Sequence, residues 1–412
     1  MSAERELLLA SFRAAVDAAD PLRIVPPQLP QPPRGKTLVV GAGKAAASMA
    51  AGVEAHWPAD AALEGVVITR YGHGLPTRRI RVVEAGHPIP DETGEVAARE
   101  ILARARALEP EDLLLALVSG GGSALLALPV EGVTMAELQS LTAALIRSGA
   151  TIQEINTVRK HLSAIQGGRL AAVCRARVLA LIISDVVGDE ATHIASGPCA
   201  PDPTTREDAK EILERFGIPF EKRQLLETPK PGDPAFARAE NRVIATARRS
   251  LEAAAGVFRA RGVEAVNLGD RITGEAAEVA RAMAELARAR AAAGAPCALI
   301  SGGECTVTIK GPAGRGGRNA EFALALAIAL GGMKGVWALA AGTDGIDGTE
   351  DNAGAVIEPE TLGRAQEKNL DPGKFLEKHD SYGFFHALGD LVVTGPTRTN
   401  VNDYRAILIA RQ

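Results

Sequence analysis

With 412 residues, 46% of them apolar and 23% charged, the chain exceeds one ordinary core and should divide into two or three globular domains. A net charge of −4 excludes a general nucleic-acid field. There is no run of about 18 uncharged apolar residues, so no membrane span is expected, and four cysteines without CxxC spacing fit reduced thiols in a cytoplasmic protein.

In chain order, residues 1–19 carry Glu4, Arg5, Glu6, Arg13 and Asp17, which reads as an amphipathic helix and not as a signal peptide. Pro21 to Pro33 reads as an extended connector. From Thr37 onward strands and helices alternate: strands at 37–40, 65–69, 81–84, 113–118 and 178–183, with helices at about 45–54, 92–107, 134–148, 152–161 and 168–173. Such alternation predicts a mostly parallel sheet with helices on both faces. The helix at 206–216 and the stretch Pro229 to Pro234 mark a boundary near residue 235. The second half then restarts with strands at 242–245, 264–267, 297–300, 336–341, 390–393 and 406–410, and with helices at 248–261, 274–293 and 319–330. Glu304 to Lys310 alternates as a half-exposed strand.

Five of the apolar runs end in small or acidic residues, the pattern by which parallel strands bring a ligand close to backbone. The first is Gly41-Ala42-Gly43-Lys44-Ala45-Ala46, a GxGxxA turn opening a helix, where backbone amides suit an anion. A dinucleotide site would want an acid at the end of the next strand. Here that strand ends in Thr69-Arg70-Tyr71, which disfavours NAD and leaves NADP open. Lys44 sits poorly for the helix dipole, so an anion partner is expected; the alternative is a surface lysine beside a packing turn. Ser119-Gly120-Gly121-Gly122-Ser123 is the densest glycine run, an anion-binding nest or else a turn that lets strand and helix pack closely.

Asp185 and Asp189 follow a strand, and Asp344 and Asp347 lie in Gly342-Thr343-Asp344-Gly345-Ile346-Asp347-Gly348. Either pair suits Mg²⁺, which takes one or two carboxylates with phosphate oxygens and water, and either could be turn chemistry. Ser301-Gly302-Gly303-Glu304 ends another strand. Arg315 and Arg318, with Asn319, lie in or just after the glycine loop 311–317, which reads as a lid closing over phosphates. Arg159 and Lys160 are further cations that could equally be a solvated helix face. His87, His161 and His193 lack an HxH or HExxH partner, so zinc is not expected. P-loop, protein-kinase and GxSxG signatures are absent.

These motifs, with Ile155 to Ser163, Ser196-Gly197-Pro198, Gly314 to Asn319 and Thr394 to Asp403, resemble the glycerate 2-kinase family with an N-terminal DUF4147 domain and a C-terminal MOFRL domain, over about residues 5–410. The resemblance implies two α/β domains facing each other across a cleft that holds the active site. Residues 1–235 would be a Rossmann-like three-layer α/β/α sandwich. Residues 236–412 would be a smaller α/β domain with the MOFRL region at about 295–405. It also implies ATP-dependent phosphorylation of D-glycerate at its 2-hydroxyl, with Mg²⁺. The family's proposed catalytic lysine and arginine fall on Lys44 and Arg318. Gly43, Ser119 to Ser123, Arg159 and Arg315 would bind acceptor or phosphate, and Gly303, Glu304, Asn319, Asp344 and Asp347 the nucleotide. Asp185 and Asp189 would hold the metal, or Asp189 would orient the hydroxyl proton. No nucleic-acid or membrane partner is expected, and a homodimer would be unsurprising. The alternatives are an NADPH-dependent hydroxypyruvate reductase and a non-enzymatic phosphosugar sensor.

Overall fold

The computed structural model describes residues 2–220, 225–309, 311 and 314–410. The chain forms two compact units, one of residues 21–244 and one joining residues 1–20 to 245–412.

The first unit is built on β1 (Thr37–Ala42), β2 (Leu63–Arg70), β3 (Ile80–Ala85), β4 (Leu113–Val118), β5 (Arg177–Ile183) and β6 (Ala239–Ala245). They form one six-stranded sheet in the order β3-β2-β1-β4-β5-β6. The pairings from β3 across to β5 are parallel. Every residue of β1 and β4 is buried, as expected of strands covered on both faces. Leu38, Val40, Val66, Leu114, Ala116 and Val178 pack on helix Glu92–Arg106 through Ala98, Ile101 and Ala105. The helices begin where local chemistry satisfies their first amides. Asp91 accepts from the Gly94 N–H, and Thr134 with Glu137 and Thr151 with Glu154 form reciprocal capping boxes.

β6 corrects the expectation that residues 242–245 open the second half, because it lies at the edge of the first sheet. The connector Pro21 to Pro33 is also not wholly extended: Pro21–Ile24 is a turn of helix and Pro26–Gln28 a 3₁₀ turn.

The second unit carries β7 (Glu264–Asn267), β8 (Gly274–Glu275), β9 (Cys297–Ser301), β10 (Cys305–Thr306), β11 (Val336–Gly342), β12 (Gly354–Ile357), β13 (Leu391–Val392) and β14 (Asp403–Ile409). Six of them make a sheet in the order β13-β12-β11-β14-β9-β7, and β8 pairs with β10. This sheet is mixed. β14 returns between β11 and β9 and runs antiparallel to both, while β7 and β9 are parallel. Only Cys305–Thr306 of the alternating segment 304–310 is strand, its partner β8 being two residues long, and Lys310 lies outside the described residues.

One face of this sheet packs on helices Ala276–Ala292 and Arg318–Leu330. The other face is covered by helix Ala247–Arg259, through Leu251, Ala255 and Phe258, and by Leu8, Phe12 and Ala15 of helix Ala3–Asp17. The N-terminal helix therefore packs with the C-terminal unit and not with the sheet that follows it in sequence. Its apolar stripe needs a partner, and the sheet face of Ala298, Ile300, Leu339 and Ala406 supplies one. Tyr404 of β14 seals the contact by donating to Ser11 Oγ at 2.8 Å.

Candidate active site

The strand order of the first sheet reverses direction between β1 and β4, and open α/β sheets bind ligands outside the carboxyl ends of the strands at such a switch point. The two glycine loops flank that point. Gly43 has φ +140, and a Cβ there would collide with Ser119 Oγ, so only glycine lets the loops meet. They are stitched together by Lys44 N–H to Gly120 O at 2.8 Å, Ala45 N–H to Ser119 Oγ at 3.1 Å and Ser119 N–H to Ala42 O at 3.2 Å. These bonds leave the amides of Gly120 and Gly121 without a hydrogen-bond partner among the described residues. Two successive open amides, ahead of the short helix Gly122–Leu125, are a backbone arrangement that can accept an anion.

The side chains around the nest are consistent with this. Gly121 is left-handed at φ +84, and a Cβ built on it would lie 3.5 Å from Lys44 Cγ and 3.0 Å from His87 Nε2. Lys44 and His87 thus flank the same loop, a placement of His87 that sequence reasoning missed. Ser123 Oγ is 2.9 Å from Ser196 Oγ. Ser196 and its neighbour Ala195 are buried and left-handed, at φ 58 and 51. Two consecutive non-glycine residues in that region cost of order 1–3 kcal/mol each, and such strain gathers at functional sites. The signal in the sequence was Ser196-Gly197-Pro198, which propensity alone reads as an ordinary turn.

Asp185 and Asp189 lie on the loop after β5, both partly buried, with Asp189 also left-handed at φ 58. Among the described residues no three His, Cys, Asp or Glu side chains form a metal-holding group. A carboxylate pair on one loop is the donor set that Mg²⁺ uses together with phosphate and water, so these two residues fit it. Arg159, on helix Ile152–His161, is partly buried, and its Nε lies 3.4 Å from Thr142 Oγ1. Its neighbour Lys160 is no solvated cation. It is 1% exposed and donates to the buried Asp202 carboxylate at 2.6 Å, which Thr204 also caps.

The second unit assembles its own cluster at the start of helix Arg318–Leu330. Arg318 reaches the Asp403 carboxylate through Nε at 2.9 Å and Nη2 at 3.0 Å, and Glu304 through Nη1 at 2.7 Å. Burial works against the charged guanidinium, but the Asp403 and Glu304 carboxylates outweigh it and hold its pKa above the ordinary value. Asp403 also accepts from Asn319 Nδ2 at 3.0 Å and Arg405 Nη2 at 3.2 Å. Gly317, at the N-cap position, has no side chain to offer. Asp347 replaces it from a distance, accepting the Asn319 N–H at 3.0 Å and the Ala320 N–H at 2.8 Å. Burial pushes the Asp347 carboxyl up to about 6, opposed by those two amides. With these two bonds Asp347 anchors the start of the helix.

Asp344 is 8% exposed and accepts the Ile346 N–H at 3.2 Å. Gly303 has φ +104, where a Cβ would strike the Ile272 backbone, and Glu304 is exposed. Arg315 stacks 4.0 Å over the Tyr382 ring and donates to Glu350 at 2.8 Å. The sequence suggested arginines riding a loose lid. Both are instead held by side chains of the unit that carries them, while Pro312 and Ala313 of that loop lie outside the described residues.

Comparison with known proteins identifies both halves. Residues 7–227 match the domain of unknown function DUF4147, and residues 297–403 match the MOFRL family. A protein of Agrobacterium vitis provisionally named a hydroxypyruvate reductase is 51% identical over 98% of this chain and 94% of its own length. The D-glycerate 2-kinase of Thermotoga maritima is 41% identical over 97% of each chain. The crystal structure of glycerate kinase from Thermotoga maritima superposes with a TM-score of 0.89 at 40% identity, covering 98% of this chain and 99% of that one. The chain therefore belongs to the glycerate kinase family, with DUF4147 and MOFRL regions and homology to glycerate 2-kinases over nearly its full length.

Proposed function

We propose that the protein is a D-glycerate 2-kinase, transferring the γ-phosphoryl group of ATP to the 2-hydroxyl of D-glycerate to give 2-phosphoglycerate and ADP. The observation that carries this reading is similarity over 97% of the chain to proteins named D-glycerate 2-kinase and glycerate 2-kinase. The open amides of Gly120 and Gly121 beside Lys44 add a physical reason, since phosphoryl transfer is mostly positioning and charge neutralisation.

In this reading the nest and the Lys44 ammonium hold the transferring phosphoryl group, and Arg159 takes the acceptor's carboxylate. Asp189 orients the 2-hydroxyl proton. In the second unit Arg318, held by Asp403 and Glu304, and Arg315 are the cations proposed for the polyphosphate. Gly303, Glu304 and Asp344 serve the nucleotide, and Asn319 and Asp347 act through the helix start they anchor. Asp185 and Asp189 would hold Mg²⁺, which when bound supplies positive charge to the phosphate oxygens.

The name carried by the Agrobacterium vitis relatives favours a second reading, reduction of hydroxypyruvate. For that reading β2 ends in Thr69-Arg70, without the acid that the NAD ribose wants, so its reductant would be NADPH. One pair of assays separates them. ADP release dependent on D-glycerate supports the kinase; NADPH oxidation dependent on hydroxypyruvate, without ADP release, overturns it.

A further inference from the structure

A cavity of about 500 Å³ opens beside the second glycine loop, with Ser123 of that loop in its wall. It lies in the range of ~300–1,000 Å³ that accepts drug-sized ligands, far more room than a three-carbon acid fills. Most of its lining is apolar, from Leu128, Leu138, Ala143 and Ile146 among others, and the cation on its wall is Arg159.

The state of Arg159 is what gives the cavity a chemistry. Burial pushes its guanidinium pKa down, and no carboxylate among the described residues offsets that. Of its five N–H donors, only Nε has an acceptor among the described residues, the Thr142 hydroxyl at a long 3.4 Å. Arg318 and Arg405, also drawn inward, share the Asp403 carboxylate as counter-charge, and Arg169 is held by four backbone carbonyls. A partly buried guanidinium without a counter-charge gains from an anion that completes it. The surrounding wall rewards an apolar body on that anion.

We propose that this cavity is an acceptor-side pocket for small organic carboxylates that carry an apolar chain, with the carboxylate on Arg159 and the chain against Leu128, Leu138, Ala143 and Ile146. The inference rests on the acceptor reading of Arg159 given above, and it widens the substrate class from glycerate to 2-hydroxy acids with apolar substituents. Ser123, on the loop that would hold the phosphoryl group, shares the cavity wall with Arg159.

The test is calorimetric titration of the full chain, without nucleotide, with acetate, butanoate, hexanoate and the neutral isostere hexanamide. Affinity should rise about threefold to fourfold per methylene, and hexanamide should bind at least about tenfold more weakly than hexanoate. In Arg159→Met the preference for hexanoate over hexanamide should shrink to within about twofold, and D-glycerate should displace hexanoate competitively from the wild type. Equal binding of acetate and hexanoate, equal binding of hexanoate and hexanamide by the wild type, or simultaneous binding of hexanoate and D-glycerate would each overturn the proposal. Failure of the kinase reading shows separately, as absence of ADP release with D-glycerate.

Discussion

Replacing Asp403 with asparagine keeps the side chain's shape and removes its charge from between two guanidinia. Asp403 is fully buried, Arg405 is 1% exposed and the Arg318 side chain is 35% exposed. The two pairs therefore differ in worth. Arg405 would keep the Gly302 carbonyl at 3.2 Å, the face of Phe322 at 5.2 Å and at most a neutral amide oxygen from the new asparagine, none of which neutralises a buried cation. Removing one partner of a buried pair costs about 3–5 kcal/mol. Arg318 is exposed enough for water to screen the loss, so its share is about 1 kcal/mol or less. Asp403→Asn should thus lose about 3–5 kcal/mol, and Arg318→Met only about 1 kcal/mol, because Asp403 then keeps Arg405. Chains of two units need not unfold in one transition, so the reading needs a local probe. The chain has two tryptophans, Trp57 in the first unit and Trp337 in β11 of the second. Urea unfolding followed by Trp337 fluorescence in a Trp57→Phe background isolates the second unit. Equal losses for Asp403→Asn and Arg318→Met, or a loss below about 1 kcal/mol for Asp403→Asn, would refute the reasoning.

Three further outcomes are expected. Lys44→Ala should leave unfolding by urea nearly unchanged and cut turnover of ATP with D-glycerate at least about a hundredfold, and near-normal turnover would remove Lys44 from the chemistry. Asp347 titrates at about 6 in the folded state, above its ordinary value, so the native state binds its proton more tightly than the unfolded chain does. Its contribution is then fully present below about pH 4 and fades as pH rises through about 6, a change of about 3 kcal/mol. Against Asp347→Asn, the wild type should show that extra downward slope in the Trp337 signal; parallel pH profiles would contradict it. In the first unit, Asp202→Ala strands the Lys160 ammonium and should cost about 3–5 kcal/mol, whereas Lys160→Met with Asp202→Leu should recover most of it, and no recovery would argue against the desolvation account.

The parts of the fold set by local pattern were legible in the sequence. β4 spans Leu113–Val118 as the apolar run between Asp112 and Ser119 requires, and the capping boxes at Thr134 and Thr151 start their helices where the spacing says. What pattern could not show was which neighbour each element chose. β14 is an apolar run like the others, and nothing in it reveals that it inserts antiparallel between β9 and β11 and makes the second sheet mixed. Helix Ala3–Asp17 was legible as amphipathic, but the sheet face it covers is made by residues some three hundred positions later.

The candidate site divides along the same line. The glycine loops were readable because a strand ending in glycines has few other uses, and β1 and β4 turn out to be neighbours at the switch point. The Arg318 cluster was not readable, because Glu304, Asp347 and Asp403 reach Arg318 and Asn319 from three different loops or strands. Asp347 looked like a metal or nucleotide carboxylate. The amides of Asn319 and Ala320 occupy it because the helix begins at glycines that have no capping side chain.

The central claim is phosphoryl transfer to the 2-hydroxyl of D-glycerate, and ³¹P NMR of the products of ATP, Mg²⁺ and D-glycerate tests it most directly. The account requires the resonance of 2-phosphoglycerate to grow in step with ADP. Growth of 3-phosphoglycerate instead, or no phosphoglycerate while hydroxypyruvate is reduced, would contradict it.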